Sequence, residues 1–308
     1  MNDKRRVLVI GATGYIGSHL IPHLLERGND VAVLARTPEK VKRHPWHDQV
    51  TVFEGDVLDI ETLPAAFENM DVIYYLVHSL GKGNFAERDR HAAYNTALIA
   101  DRQRVGRIIY LSGMGHGPDL SEHLASRQET GRVLAGKSVP VTEFRAAVVV
   151  GAGSDSFRII HYLAKRLPVM ITPKWVQTRT QPIAEADVLR YLAEAPERPE
   201  STGKILEIGG DDVMSYGDMM RTYSRIRGLR RLMIPVPVLT PRLSAYWVDL
   251  TTPIPAGVSH PLIEGLKNEV VVTDPVARDI FPFEPLGYEQ AVRLAIEEMR
   301  REQDATGR

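Results

Sequence analysis

VLVIGATGYIG, residues 7–17, is the stretch that decides the fold, because four apolar residues run straight into a glycine-rich turn and then into a helical pattern. Gly11 permits a tight turn, Gly14 lets the backbone approach a ligand, and Gly17 allows the helix to pack closely on the strand. The start of the helix offers free amide groups and the positive end of its dipole to a phosphate. In this context the stretch predicts a phosphate-binding loop rather than a purely structural turn.

Further short apolar runs follow through the first half of the chain, each with a helix-like segment after it. The runs are VLVI (7–10), VAVLA (31–35), VTVF (50–53), DVIYYLV (71–77), RIIYLS (107–112) and VTEFRAAVVV (141–150). Strands that alternate with helices imply crossover connections and a parallel sheet. Because the runs are continuously hydrophobic, both faces of that sheet should be covered. We therefore expect an α/β fold, with a Rossmann-type doubly wound parallel sheet that binds NAD(P) over residues 1–150.

The pattern changes after this first domain, where prolines become frequent and strand candidates such as KILEIGG (204–210) are isolated. We expect residues 151–308 to form a smaller C-terminal substrate lobe. Within it, QPIAEADVLRYL (181–192) should pack back on the first domain.

The most apolar part of this lobe is residues 232–258, which raises the question of a membrane segment. Five prolines, together with Arg242 and Asp249, argue against a membrane-spanning helix. Two interpretations of this segment remain: a lid that faces lipid or substrate, or an ordinary part of the core with its loops. Tyr246 and Trp247 would either contact a hydrophobic substrate or pack in the core of the protein.

Composition excludes several classes of function. The net charge of -1 gives no electrostatic footprint for nucleic acid. The absence of cysteine excludes disulfides, thiolate zinc sites and cysteine nucleophiles. It is compatible with a reducing compartment, and we expect a cytoplasmic protein. The start, MNDKRRVLVIGATG, lacks a cleavage site and is interpreted as a strand rather than a signal peptide. HPWH, with His44 and His47, has no accompanying carboxylate or cysteine cluster, so no metal site is expected.

The end of the second apolar run indicates which dinucleotide would bind. There, in LARTPEK, stands Arg36, with Lys40 one turn later and no carboxylate at the strand end. A guanidinium suits a 2′-phosphate and offers no acceptor to a ribose hydroxyl. The sequence therefore predicts NADP in preference to NAD, with a merely solvated Arg36 as the alternative. The loop residues expected to hold the cofactor are Gly11, Thr13, Gly14, Tyr15, Ile16 and Gly17.

With GATGYIG, GDVLD, YYLVHS, YLSG and FRAAVVVGAG in this order, the sequence resembles the short-chain dehydrogenase/reductase superfamily. The resemblance is strong to about residue 151 and looser through residues 181–192. It implies that Ser112 polarises a substrate carbonyl. It also implies that further residues border the cofactor, namely Asp56 and Val57 at the adenine and Leu76, Val77 and His78 after the fourth strand.

One departure from the superfamily concerns its catalytic pair, a Tyr and a Lys four residues apart, since no Tyr of this chain has a Lys four residues later. HLASR (123–127) stands at the matching location, which resembles an atypical, NmrA-like or extended-type subgroup with His and Arg in place of the pair. His123 could deliver a proton near neutral pH, and Arg127 could hold the cofactor ribose or a substrate carboxylate. Alternatively, both are exposed on an amphipathic helix capped by Ser121.

Two functions therefore remain open. The first is an NAD(P)-dependent oxidoreductase that uses Ser112, His123 and Arg127 to reduce a carbonyl or quinone-like small molecule. The second is an NAD(P)-binding sensor or assembly protein without turnover, which the missing Tyr and Lys favour. By analogy with the superfamily, a homodimer could pair the helix around residues 84–104 with the HLASR helix.

Overall fold

The computed structural model describes residues 4–81, 83–236 and 248–306. Its strands are β1 (Arg6–Ile10), β2 (Asp30–Ala35), β3 (Thr51–Glu54), β4 (Val72–Tyr75), β5 (Arg107–Gly113), β6 (Val141–Ala146), β7 (Val149–Val150), β8 (Val169–Thr172), β9 (Arg179–Thr180), β10 (Ile183–Ala184), β11 (Ile205–Ile208), β12 (Met214–Ser215) and β13 (Leu232–Pro235). Its helices are α1 (Tyr15–Glu26), α2 (Pro38–Val41), α3 (Pro64–Phe67), α4 (Phe85–Arg102), α5 (Glu122–Leu134), α6 (Asp155–Arg166), α7 (Glu185–Glu194), α8 (Tyr216–Ile226), α9 (Ala256–Gly265), α10 (Val276–Ile280) and α11 (Tyr288–Thr306).

Seven strands form one parallel sheet in the order β3, β2, β1, β4, β5, β6 and β11. The direction of strand progression reverses between β1 and β4, which opens a crevice at the carboxyl ends of these strands. The predicted α/β fold with a doubly wound parallel sheet is confirmed. Three further strand pairs lie outside this sheet, with β7 on β10 and β8 on β13 parallel and β9 on β12 antiparallel.

Both faces of the sheet are buried, as the continuous hydrophobicity of the strands predicted. In β1, Val7 and Val9 join a core cluster that includes side chains of α1 and α7. Leu8 and Ile10 join a second cluster, with α3, α4 and α5, on the opposite face. Each of these four side chains is at most 2% exposed. Full burial of such a side chain stabilises the fold by about 1.5–3 kcal/mol.

Two strand expectations differ from the structure. The run VTEFRAAVVV does not form one strand, because the chain leaves the sheet after Ala146 and Val149 pairs instead with Ile183 of β10. KILEIGG does not form an isolated strand, because its residues 205–208 pair with β6 and extend the main sheet. In both cases the pairing partner is distant in sequence, so the local pattern carries no signal for it.

The C-terminal region contributes a third core cluster, in which side chains of α6, α8, α9 and α11 pack together. The segment 181–192 contains most of α7, which contacts α1. The division into two domains at residue 150 stays a prediction. Strand β11 belongs to the C-terminal half of the sequence but pairs with the sheet of the N-terminal half. Across the described ranges, no helix has both the length and the apolar character needed to traverse a bilayer.

A buried arginine at the start of β5 ties the sheet to the loops after α7. The Arg107 side chain donates two hydrogen bonds to Thr142 Oγ1, at 2.9 and 2.6 Å, one to the carbonyl oxygen of Ala195 at 2.8 Å, and one to Ser201 Oγ. Burial lowers the pKa of Arg107 to about 10. The guanidinium is thus held by neutral acceptors, and its forked shape lets it reach three of them at once.

We expect Arg107→Lys to destabilise the protein by roughly 2–4 kcal/mol, because a single ammonium cannot satisfy all of these buried acceptors. Urea denaturation followed by circular dichroism measures the change. Arg293→Lys is the matched control, since Arg293 is exposed and its ion pair is with Glu289 on the same helix, α11. Equal effects of the two substitutions would contradict the importance of the Arg107 network.

Candidate functional site

A cleft of about 620 Å³ opens at the carboxyl ends of β1, β4, β5 and β6. This is the crevice that the strand order creates, and its volume suits a small-molecule ligand. Twelve of the residues predicted from the sequence line the cleft: Gly11, Thr13, Gly14, Tyr15, Ile16, Gly17, Leu76, Val77, His78, Ser112, His123 and Arg127.

The glycine loop forms the base of the cleft and leaves no room for side chains. Gly11 has a φ of 93°, and a Cβ there would lie 2.8 Å from the carbonyl oxygen of Leu76. A Cβ at Gly17 would overlap the carbonyl oxygen of Gly11. Helix α1 begins at Tyr15 with no acidic residue in its first turn. The positive end of the helix dipole is therefore unopposed by a carboxylate of that turn, as a phosphate site requires.

Tyr15 connects this loop to the C-terminal region. Its hydroxyl donates to Glu185 Oε2 of α7, and Glu185 Oε1 lies 2.5 Å from His19 Nδ1 on α1. Glu298 of α11 lies 3.8 Å from the same His19 nitrogen. The hydrogen bond that the protonated His19 ring donates to Glu185 raises the pKa of His19. The loop is thereby held from behind by two elements that lie more than a hundred residues away in sequence.

Ser112, His123 and Arg127 all line the cleft near the end of β5. Ser112 is 4% exposed, and its Oγ has no hydrogen-bond partner among the described residues. Arg127 donates to the carbonyl oxygen of Leu111, and its guanidinium carbon lies 5.1 Å from the centre of the Tyr110 ring. This anchoring fixes α5 against β5 and leaves further guanidinium N–H groups for the cleft.

The turn into α5 explains why these side chains converge. Ser121 caps the helix by accepting a hydrogen bond from the backbone amide of Leu124 at 3.4 Å. Leu124 packs over Gly113, where a Cβ would lie 2.9 Å from Leu124 Cδ2. The cap and the buried Leu124 agree with the sequence interpretation of an amphipathic helix. His123, however, is only partly exposed and faces the cleft lining rather than open solvent.

Two imidazoles share the cleft with Arg127. The ring centres of His78 and His123 are 6.2 Å apart, and His78 Nδ1 accepts a hydrogen bond from the Leu80 amide at 3.2 Å. Burial, together with the smaller effect of the positive charge of Arg127, lowers the pKa of His123 to about 4. Burial and the charge of Arg127 also lower the pKa of His78, although more than a third of the surface of this residue is exposed. Both rings are therefore neutral near pH 7.

Tyr15 and Tyr216 are the tyrosines among the described residues that line the cleft. Burial raises the pKa of both phenols, and Glu185 raises that of Tyr15 further. Neither is followed by Lys at the fourth position. A low-pKa tyrosine of the kind that the superfamily uses is thus not present in the described cleft lining.

Three residues predicted to contact the adenosine end lie beyond the lining of this cleft. Arg36 follows β2 directly, and its Nη1 lies 4.0 Å from Asp56 Oδ2. The carbonyl oxygen of Val57 accepts a hydrogen bond from Asn95 at 3.0 Å. The ion pair between Arg36 and Asp56 is long and solvent-exposed, so it contributes little energy and leaves Arg36 accessible.

The C-terminal region supplies cleft residues that were not among the individually predicted site residues, although Gly153 ends the motif FRAAVVVGAG and Val258 ends the apolar segment 232–258. They come from the segment after β7 and from α9 with the chain after it, and include Gly153, Ser154, Asp155, Val258, Leu262, Leu266 and Val270. Motif order gave no signal for the others, because they approach β5 only through tertiary packing. Tyr246 and Trp247, suggested as substrate contacts, lie outside the described residues.

The histidines of HPWH contact other groups. The ring of His44 stacks on Trp46 with 4.7 Å between ring centres, and His47 Nδ1 lies 2.9 Å from the carbonyl oxygen of His44. A different trio, His19, Glu185 and Glu298, brings potential ligand atoms within 4.8 Å of one another. Its members are already joined by the contacts that hold Tyr15.

Comparison with known proteins agrees with this geometry. Residues 11–144 match a family model described as NAD(P)H-binding. A mitochondrial NADH dehydrogenase [ubiquinone] 1 alpha subcomplex subunit 9 from Arabidopsis thaliana is 24% identical over 301 residues, which cover 91% of this chain and 75% of that protein. A 3 beta-hydroxysteroid dehydrogenase/Delta 5→4-isomerase from Mycobacterium tuberculosis is 32% identical over 118 residues, or 35% of this chain. The match spans only 31% of that relative's length.

Among solved structures, an NADPH-dependent quinone oxidoreductase from Escherichia coli in complex with NADPH has the same fold. The TM-score is 0.75 at 18% identity, with 93% of this chain and 98% of that chain covered. Residues 11–144 of this chain therefore match an NAD(P)H-binding domain, within a fold that the chain shares with NADPH-binding proteins of known structure, and its sequence has no Tyr with a Lys four residues later.

Proposed function

We propose that the protein is an NAD(P)-dependent oxidoreductase that reduces a carbonyl or quinone-like small molecule, with NADPH as its preferred reductant. The observation that carries the proposal is that Ser112, whose buried hydroxyl makes no hydrogen bond of ordinary geometry within the described residues, lines the same cleft as His123. A buried hydroxyl without a partner is costly, and a substrate oxygen would satisfy it.

The residues present fit a dinucleotide. The base of the cleft is lined by Gly11, Gly14 and Gly17, which carry no side chains, and helix α1 begins there at Tyr15. When bound, NADPH would supply the hydride. Thr13, Tyr15 and Ile16 would border the phosphates, with Leu76, Val77 and His78 farther along the cofactor. A hydroxyl or carboxylate of the cofactor or substrate would suit the remaining donors of Arg127.

Ser112 and His123 would hold the substrate oxygen between them. Because His123 is neutral near pH 7, it would act first as an N–H donor to the oxygen rather than as a charged acid. Negative charge that develops on the oxygen would raise the pKa of the imidazole, so that a proton from solvent could pass through it. This role needs no phenol with a lowered pKa.

The walls beyond this pair favour an apolar substrate. Met114 and Leu124 line the cleft on the side of β5 and α5, while Val258, Leu262 and Leu266 line it from α9 and the residue after it. Such a pocket binds through burial of apolar surface, and the few polar groups fix orientation. A homodimer through α4 and α5, which contact each other, stays a prediction.

The second candidate is an NAD(P)-binding sensor or assembly protein without turnover. Two observations favour it: the missing Tyr and Lys pair, and a relative that matches 91% of this chain and is named as a subunit of a larger dehydrogenase. The glycine loop serves both candidates equally. Turnover therefore separates them, and binding does not.

We expect NADPH oxidation that depends on a carbonyl or quinone from a broad panel, followed by nicotinamide absorbance. Ser112→Ala should lower kcat/KM roughly 100-fold, because one donor to the developing oxyanion is lost. Ser126→Ala is the matched control, since Ser126 Oγ is equally buried and unpartnered but lies outside the cleft lining. Tight NADPH binding with no turnover across the panel would favour the sensor, and equal effects of the two substitutions would exclude Ser112 from the reaction.

The protonation state of His123 predicts an acid-sensitive fold. Its pKa of about 4 in the folded protein lies below the ordinary value, so the unfolded chain binds the proton more tightly. The stability that neutral His123 contributes is present above about pH 6.5 and is lost as the pH falls towards 4. We expect His123→Asn to reduce the loss of unfolding free energy between about pH 7.5 and pH 4.5 by roughly 2 kcal/mol.

Urea denaturation at the two pH values measures this difference. His91→Asn, at an exposed position of α4, is the control and should leave the pH dependence unchanged. An identical pH dependence of the wild type and His123→Asn would show that His123 titrates as an ordinary histidine.

Arg36 should set the preference for NADPH. We expect Arg36→Gln to weaken NADPH binding about 10- to 100-fold and to leave NADH binding within about twofold, because only the 2′-phosphate offers a charge-assisted partner. Fluorescence titration with both nucleotides measures the two affinities. Arg43→Gln, an exposed position after α2, is the control. Tighter binding of NADH than NADPH by the wild type would overturn the assignment.

A further inference from the structure

The small parallel sheet of β8 and β13 carries an unusual outer face. Val169 and Ile171 are 48% and 53% exposed, and Leu232 and Ile234 are 59% and 43% exposed. Leu232 pairs with Val169 and Ile234 with Ile171, so the four side chains are direct cross-strand neighbours. They form one continuous surface, which we call the apolar strip.

The opposite face of this sheet is anchored in the core. Met170 is 4% exposed and belongs to the C-terminal cluster, against which Met233 also packs. A two-stranded sheet with one buried face ordinarily alternates apolar and polar residues, so that the outer face is polar. Here both faces are apolar, and among the described residues the outer one is about half exposed, with Val169 and Ile171 also lining a small cavity of about 130 Å³. The strip lies outside the cleft lining.

The chain segments that build this sheet are strongly basic. Residues 156–180 contain Arg158, Lys165, Arg166, Lys174 and Arg179 and no Asp or Glu. Residues 219–236 contain Arg221, Arg225, Arg227, Arg230 and Arg231 and again no Asp or Glu. The whole chain has a net charge of -1, so positive charge is concentrated in these two segments.

Several of these basic residues are not neutralised by carboxylates. Four pair with carboxylates of other segments, namely Arg158, Arg179, Arg221 and Arg225. The other six have no ion pair within the part of the chain that the structure describes, and we call them the basic border: Lys165, Arg166, Lys174, Arg227, Arg230 and Arg231.

The contacts of Arg231, which directly precedes Leu232, place part of the border beside the strip. The Arg231 guanidinium donates to the carbonyl oxygens of Ala164 at 2.5 Å and Lys165 at 3.2 Å, which joins the end of α6 to the start of β13. Burial lowers the pKa of His161 on α6 to about 4, and the next causes are positive charges, with Lys165 and Arg227 first among them. The positive charge is thus gathered at this end of the lobe.

We propose that the apolar strip and its basic border dock the protein on an anionic lipid surface. The four aliphatic side chains would enter the boundary between headgroups and acyl chains, and the border would contact lipid phosphates. A second copy of the chain is disfavoured, because a two-fold contact through this face would bring two unneutralised borders together. A soluble polyanion would satisfy the border but leave the strip in water.

The first test is co-sedimentation with vesicles of phosphatidylcholine that contain about one third phosphatidylglycerol. We expect binding that is absent with phosphatidylcholine alone and that weakens as salt rises from about 0.05 to about 0.5 M. Ile171→Glu should weaken binding at least ~10-fold, because it removes an inserted side chain and adds a like charge to the lipid. Ile205→Glu is the matched control, since Ile205 on the edge strand β11 is also 53% exposed and should change binding less than about twofold.

A second measurement leaves the charge of the face unchanged and does not depend on how Ile171→Glu folds. Because the chain has no cysteine, Leu232→Cys can be labelled at one position with an environment-sensitive fluorophore. Its emission should shift to the blue when the anionic vesicles are added, whereas a label at Val52→Cys, on β3, should not respond. Circular dichroism verifies the fold of every variant.

Several outcomes would overturn the proposal. These are equal binding to uncharged vesicles, no binding to either kind, and equal effects of the two glutamate substitutions in correctly folded protein. Binding to heparin without binding to vesicles would identify a polyanion site instead. A doubled mass in light scattering that Ile171→Glu returns to the monomer value would identify a second copy as the occupant.

Discussion

The arrangement of this protein depends on the missing side chain at Gly17. Helix α1 can cross β1 only because no Cβ stands between it and the carbonyl oxygen of Gly11. That close approach directs the first amides of the helix into the cleft and sets the position of its outer face. Helix α7 packs against this face, where Glu185 meets Tyr15 and His19. The shape of the glycine loop and the attachment of the C-terminal region therefore both depend on one contact between backbones.

Sequence patterns predicted the parallel sheet well because each of its central strands is a recognisable run of apolar residues. A run such as VLVI is hydrophobic on both faces, and the helix after it repeats the signal. The seventh strand could not be predicted in place, because β11 is a short run whose partner β6 lies about sixty residues earlier. The local sequence indicates that β11 is a strand. Which strand it pairs with depends on the packing of the helices between β6 and β11.

The same distinction applies to the cleft. Ser112 and His123 lie on consecutive elements, so the order of motifs was enough to bring them together. Glu185 lies 170 residues from the Tyr15 hydroxyl that it binds, and no local feature points to that contact. The size of the pKa shift of His123 could not be predicted from the sequence. The nearby charge of Arg127 is evident from the spacing, but the burial of the imidazole is not. The property that could not be predicted from the sequence is mainly the burial of site residues by segments that are distant in the chain.

The addition of β11 to the sheet has a consequence for synthesis of the chain. Until residues 205–208 have left the ribosome, β6 is an open edge with unpaired N–H and C=O groups. About sixty residues beyond β6 must therefore be made before the seven-stranded sheet is bounded on that side. During this interval the nascent first domain presents a template for pairing with other chains, so the speed of translation through the second half affects how much protein reaches the folded state.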